Sequence, residues 1–118
     1  MSDFPASRAP LSSREYLFLG CTILFWAAFV VLLGKDTSWD FRNYHWYGPY
    51  ALLNGRAGMD VAVAHLGSWY NPYLDVPFYL LATSVPAWLA LAVMGAVHGA
   101  NTVPLYLLAR HSLRVPDA

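Results

Sequence analysis

The residues able to do chemistry gather in the middle of the chain. In the string DFRNYHWY at 40–47, Asp40, Asn43, Tyr44 and Tyr47 share one face at about 100° per residue of helix. That face offers a carboxylate, an amide and two phenols, while His45 points about 140° from Asp40 on a regular helix. A carboxylate in such a setting can act as general base toward a hydroxyl acceptor, a role worth about 10²–10⁴ in rate. The structural alternative for Asp40 is an acid placed by the dipole at the start of a helix. Asp36, Asp40 and His45, or Asp60 and His65, also offer donors to a divalent cation, although neither spacing matches an established metal loop. A second cluster, Trp69-Tyr70-Asn71-Pro72-Tyr73, reads as a turn through its Asn-Pro pair. Its rings, like those at 44–50, suit a bilayer interface, where one edge is wet and the other dry, or a platform for a sugar ring.

Two apolar runs must position these groups. The run 16–34 (YLFLGCTILFWAAFVVLLG) carries no charge and, at about 1.5 Å per residue, covers roughly 28 Å as a helix. Backbone amides left unpaired in lipid are costly, so a spanning segment here is helical. It exceeds the apolar core of a signal peptide and no A-x-A-like site follows it, which makes it an uncleaved anchor. A second uncharged stretch, 76–109, is too long for one upright helix, and Pro77, Thr83, Ser84 and Pro86 break its start. Ser84 as N-cap and Pro86 in the first turn place a span from 86 onward, preceded by a surface helix at 74–83. Pro104 should kink that span. Gly95 and Gly99 offer a small-xxx-small face to another helix, and His98 and Asn101 should face protein or water. A hydrogen bond to a neighbouring helix is the expectation for His98. Between the runs, Thr37 or Ser38 caps a helix that Asn54-Gly55 ends, with Gly48-Pro49 as an internal break.

Composition agrees. The chain is 58% hydrophobic and 12% charged, where a soluble domain carries about a quarter charged residues. Seven basic residues balance seven acidic ones without a basic run, so no nucleic-acid partner is indicated. Cys21 is the sole cysteine and lies inside the first run, which excludes an internal disulfide. Arg8, Arg14, Arg110 and Arg114 flank the outer limits of the spans, against Lys35, Arg42 and Arg56 between them. The positive-inside rule then puts both termini in the cytoplasm. The expected fold is an all-α membrane protein, two transmembrane helices joined by an extracytoplasmic loop containing short surface helices. Its boundaries are a disordered tail at 1–13, a first span at 14–34, the loop at 35–85, a second span at 86–111 and a cytoplasmic tail at 112–118.

Three pieces of the loop go further: D-x-x-N-Y-H-x-Y at 40–47, P-Y-A-L-L-N-G-R at 49–56 and N-P-Y-L-D-V-P-F-Y at 71–79. Together they resemble the first outer loop of bacterial multi-pass membrane glycosyltransferases of the fold-C (GT-C) type. The order of one span, a loop opening with Asp, surface helices and a second span ending in Arg fits as well. The resemblance implies inverting transfer of a sugar from a polyprenyl-phosphate donor to a hydroxyl acceptor in the bacterial inner membrane. It makes Asp40 the catalytic base and gives Asn43, Tyr44, His45 and Tyr47 a supporting, substrate-binding role. Some members of that wider fold bind a divalent metal near the equivalent Asp, so the cofactor stays open. Typical members have many more spans, and the chain reads as an N-terminal module, incomplete as an enzyme on its own. Its partners would be membrane lipid, a lipid-linked sugar and further transmembrane helices or subunits. The competing expectation is a small non-enzymatic membrane protein packed against a larger complex through the Gly95/Gly99 face.

Overall fold

The computed structural model describes residues 10–60 and 70–113, and these form helices and turns without a strand. Most of the expected N-terminal tail and C-terminal tail, with His65 and Trp69, lies outside the described residues.

Helix α1, Ser13–Leu33, begins on a reciprocal cap. The Ser12 hydroxyl accepts from the Glu15 N–H at 3.4 Å, and the Glu15 carboxylate accepts from the Ser12 N–H at 2.6 Å. Two otherwise orphaned donors are satisfied this way, which sets the start one residue before the expected one. Gly34, at φ +81°, ends the helix in a conformation that disfavours any residue with a Cβ. The second long apolar segment divides into α4, Ala87–Ala100, and α5, Thr102–Ser112. The interruption at Asn101 falls one turn before Pro104, which has no N–H to offer the Ala100 carbonyl. The Asn101 N–H turns back to the His98 carbonyl at 3.2 Å instead.

Ser13–Leu33 and Ala87–Ser112 are both long and apolar enough to cross a membrane. Only 6% and 11% of their apolar windows are buried. Leu17, Leu24 and Leu32 are exposed to 67%, 70% and 84%, whereas the core helix of a soluble protein hides such side chains.

The two helices run antiparallel and meet on glycine. A Cβ at Gly95 would stand 2.4 Å from the Trp26 carbonyl oxygen and 2.8 Å from the Ala27 Cα. One at Gly99 would stand 2.8 Å from the Ile23 Cα. Backbone touches backbone here, the close approach that small residues permit. The face expected to receive a partner is therefore covered by α1 of the same chain, and a further helix must use another side. Leu19 and Ala90 are the buried apolar residues at the two ends of this seam. His98 lays its ring edge-on against Trp26 at 4.5 Å rather than bonding across. At the end of the pair near Ser13, the Tyr106 hydroxyl donates to Glu15 at 2.5 Å and the Arg110 guanidinium lies 3.5 Å from the same oxygen.

The described residues between the long helices fold into a second helical layer. Ser38 is the cap, its hydroxyl accepting the Phe41 N–H at 3.2 Å. The chain then winds through a π-helix, Phe41–Trp46, directly into α2, Tyr47–Leu53. Gly48-Pro49 does not break the helix. Pro49 lacks the N–H that would reach the His45 carbonyl, and its ring would collide with that carbonyl in a regular helix. Widening the preceding turn to i→i+5 removes the collision, and the helix continues with Pro49 fully buried. Asn54 and Gly55, at φ +66°, end it as expected. Beyond the undescribed stretch, Asn71 accepts the Tyr73 N–H at 3.0 Å and opens a 3-10 turn, Pro72–Leu74. Helix α3, Val76–Ser84, follows close to the expected surface helix. Ser84 ends α3, donating to the Leu80 carbonyl at 2.6 Å, so it is not the cap of α4; Pro86 occupies that position.

Candidate functional site between the long helices

The π-helix carries Asn43, Tyr44 and His45, with Asp40 at its head. Such wide turns cluster at functional sites because they re-aim side chains that a regular helix would stack. His45 shows the effect. Its Nδ1 lies 3.1 Å from both Asp75 carboxylate oxygens, across thirty positions of sequence. The approach depends on Gly48: a Cβ there would meet the Pro72 side chain at 3.2 Å, so glycine lets the 3-10 turn close on α2 and deliver Asp75. An N–H at Nδ1 facing the carboxylate leaves Nε2 as a proton acceptor.

Tyr44 feels the charges of both Asp40 and Asp75. Its ring is 4.3 Å from His45 and meets Tyr70 edge-on at 5.8 Å. Partial burial, then the charge of Asp40 and the neighbouring Tyr70 and Asp75, push its phenol above the usual value of 10. The hydroxyl therefore stays a donor at neutral pH. Asp40 is exposed and, among the described residues, accepts no hydrogen bond and forms no ion pair. Asp36 differs: the Ser38 N–H, 2.7 Å from its carboxylate, holds its pKa below the ordinary 3.8, with the nearby His45 adding to the effect.

The other site candidates go elsewhere. The Asn43 amide donates to the Trp39 carbonyl at 2.8 Å, a bond within its own helix. Tyr47 packs on Tyr50 with ring centres 5.8 Å apart. The four residues on one face of a regular helix are thus split by the π turn. Asp60 is held by Arg56 in a two-pronged ion pair at 2.6 and 2.9 Å, and His65 lies outside the described residues. Among the described residues, no three His, Cys, Asp or Glu side chains come together for a metal.

Beside this cluster, a cleft of about 330 Å³ opens between the start of the π-helix, α3 and the first turns of α4. Phe41, Trp46 and Phe78 wall it with tilted and edge-on ring contacts of 5.8–6.4 Å. Lys35, Asp36 and Arg42 stand at its polar side.

No family model, curated protein or solved structure matches the chain. The meaning of the site therefore rests on its own residues and on the loop pattern that they form.

Asp75 was not singled out as a site residue in the sequence, whereas Tyr70 belongs there to the aromatic cluster at 69–73. Asp75 closes the N-P-Y-L-D segment and Tyr70 stands directly before it, and the Asn-Pro turn was legible. What sequence spacing lacked was the return of that turn onto α2, which depends on a glycine and a proline meeting in space.

Proposed function

We propose that this chain is a membrane-embedded module of a sugar-transferring enzyme. The two long helices span a bacterial inner membrane with both termini in the cytoplasm, and the layer holding Asp40 lies outside. Asp40 serves as general base on the acceptor. Its carboxylate takes the proton of an acceptor hydroxyl as that oxygen attacks the anomeric carbon. The bond from that carbon to the phosphate breaks, and polyprenyl phosphate leaves as the anion with inversion at the sugar. Tyr44, held protonated, can donate to a sugar oxygen. The His45–Asp75 pair fixes the wall of the site opposite.

The observation that carries this proposal is the state of Asp40: exposed, without a hydrogen-bonding or ionic partner among the described residues, and set beside a protonated phenol. A structural acid at a helix start commonly bonds the first backbone N–H groups, yet Ser38 has taken that role. The loop pattern at 40–47, 49–56 and 71–79 supports the same chemistry by resemblance. Further helices, from this gene or from a partner, would supply the grip on the lipid phosphate.

Transfer from a panel of radiolabelled polyprenyl-phosphate sugars, measured in membranes of the native host, tests it. Asp40→Asn should lower the rate by about 10²–10⁴, whereas Asp60→Asn, which loses only an ion pair to Arg56, should leave it within a few-fold. A rate for Asp40→Asn within twofold of the parent would remove Asp40 from the chemistry.

A further inference from the structure

The cleft at the junction of the helix pair and the second layer has a polarity that asks for an amphiphile. Its interior is ring and aliphatic carbon: Phe41, Trp46 and Phe78 on one side, Leu91 of α4 on the other. Its mouth carries Lys35 and Arg42. Among the described residues neither cation has an ion-pair partner, whereas Arg56 is paired with Asp60 and Arg110 with Glu15. Asp36, the one carboxylate among the described residues lining the cleft, already accepts the Ser38 N–H. Two cations against one carboxylate leave the opening net positive, next to an apolar interior.

Position sharpens this. Lys35 follows directly on Gly34 at the end of α1, and the inner wall is the first turns of α4. The cationic side thus lies where the apolar helices end, the level at which a bilayer places its phosphates, while Ala87, Ala90 and Leu91 of α4 supply the apolar wall. The volume also discriminates. About 330 Å³ is near the lower limit of small-molecule sites. A partner helix, about 10–12 Å across with its side chains, would not enter. One acyl chain with its headgroup at the mouth would.

We propose that this cleft holds one anionic phospholipid, its phosphate between Lys35 and Arg42 and one acyl chain along Phe41, Trp46, Phe78 and Leu91. The site is separate from Asp40 and needs no sugar transfer, so it stands or falls independently of the enzymatic proposal. Bound there, the lipid ties the second layer to the helix pair at a fixed depth.

The test is fluorescence quenching in maltoside micelles by phosphatidylglycerol with brominated acyl chains, comparing the parent with Trp46→Phe to isolate Trp46. Saturable quenching of Trp46 is expected, with phosphatidylglycerol favoured over phosphatidylcholine of the same chains by about fivefold, given about fivefold for each of the two basic residues at a membrane surface and one opposing carboxylate of like size. Lys35→Gln with Arg42→Gln should abolish the preference, Lys35→Arg should keep it, and Arg56→Gln should leave it unchanged. Ala82→Phe, which fills the cleft, should weaken quenching by both lipids while circular dichroism shows the same helix content. Equal quenching by the two lipids in the parent, or a preference that survives removal of both cations, overturns the proposal. Displacement of phosphatidylglycerol by glycerol phosphate alone, or by far less polyprenyl phosphate than phospholipid, overturns it too, the first making the site one for free phosphate and the second one for the sugar donor.

Discussion

Adding one methyl group at Gly95 should unseat the helix pair. In the structure a Cβ at this position falls 2.4 Å from the Trp26 carbonyl oxygen, 2.8 Å from the Ala27 Cα and 2.9 Å from the Trp26 carbonyl carbon. All three are backbone atoms of a helix, so no side chain can swing aside. Ordinary contact begins at 3.4 Å, and α1 and α4 must therefore separate by about 1 Å to admit the methyl. A gap of about 0.5–1 Å forfeits a quarter to a half of each dispersion contact across it, and overpacking of this kind costs about 1–3 kcal/mol. Lipid supplies no hydrophobic force to restore the pair, since hydrocarbon solvates the separated faces as well as it solvates the closed ones. Gly20 provides the control: a Cβ there meets nothing within 4 Å, and alanine is the better helix former by up to about 1 kcal/mol in an exposed helix. Gly95→Ala should lower the detergent concentration at which α1 and α4 part, read by energy transfer between labels near their facing ends. Gly20→Ala should raise it or leave it unchanged. Equal shifts for the two variants would refute the packing account, because both remove one helical glycine and only one of them fills a contact.

Three further outcomes are expected. Pro49→Ala restores the N–H that the regular helix needs, so the π turn should relax toward α-helix, rotate His45 from Asp75 and change the His45 tautomer signals in nitrogen NMR; an unchanged His45 spectrum would mean that proline does not cause the wide turn. The Tyr44 phenol should titrate above 10 by ultraviolet absorbance. Because its folded pKa exceeds its unfolded one, the protonated state favours the fold at neutral pH, and that contribution is lost as pH rises past 10; Asp40→Asn should move the titration back toward 10 without removing the part due to burial. Asp36 runs the other way: its depressed carboxyl steadies the entry to the π-helix above pH about 4 and releases it as pH falls through the folded value. A carboxyl carbon titration of Asp36 at or above 3.8 would contradict the Ser38 bond.

How much of this was legible in the sequence differs by scale. The long helices were readable because charge simply stops at Glu15 and resumes at Lys35, and because Arg110 closes the second run. Caps were readable where one residue type does one job, as at Ser38 and Asn54-Gly55. Prolines were harder, because each has two solutions. Pro104 interrupts its helix as expected, whereas Pro49 is absorbed by a wider turn, and Pro86 stands one step outside the helix it was expected to begin. The difference lies in what surrounds each ring. Pro49 is fully buried, so packing holds the helix together through the defect.

The site itself was half legible for the same reason. Helical arithmetic put Asp40, Asn43, Tyr44 and Tyr47 together by assuming a constant turn, and the turn is not constant. One proline five residues past Tyr44 changes the pitch, which leaves Tyr47 with Tyr50, ties Asn43 to its own helix and turns His45 to an acid thirty positions away. Every residue singled out there is capable of chemistry; the distribution of roles among them depends on a backbone widening that no periodic pattern encodes. Pro49, Gly48 and Pro72 carry no reactive group, yet they decide which reactive groups meet. Substitutions at these three positions should therefore disturb the His45–Asp75 contact more than Asn43→Ala or Tyr47→Phe, although they remove no polar group.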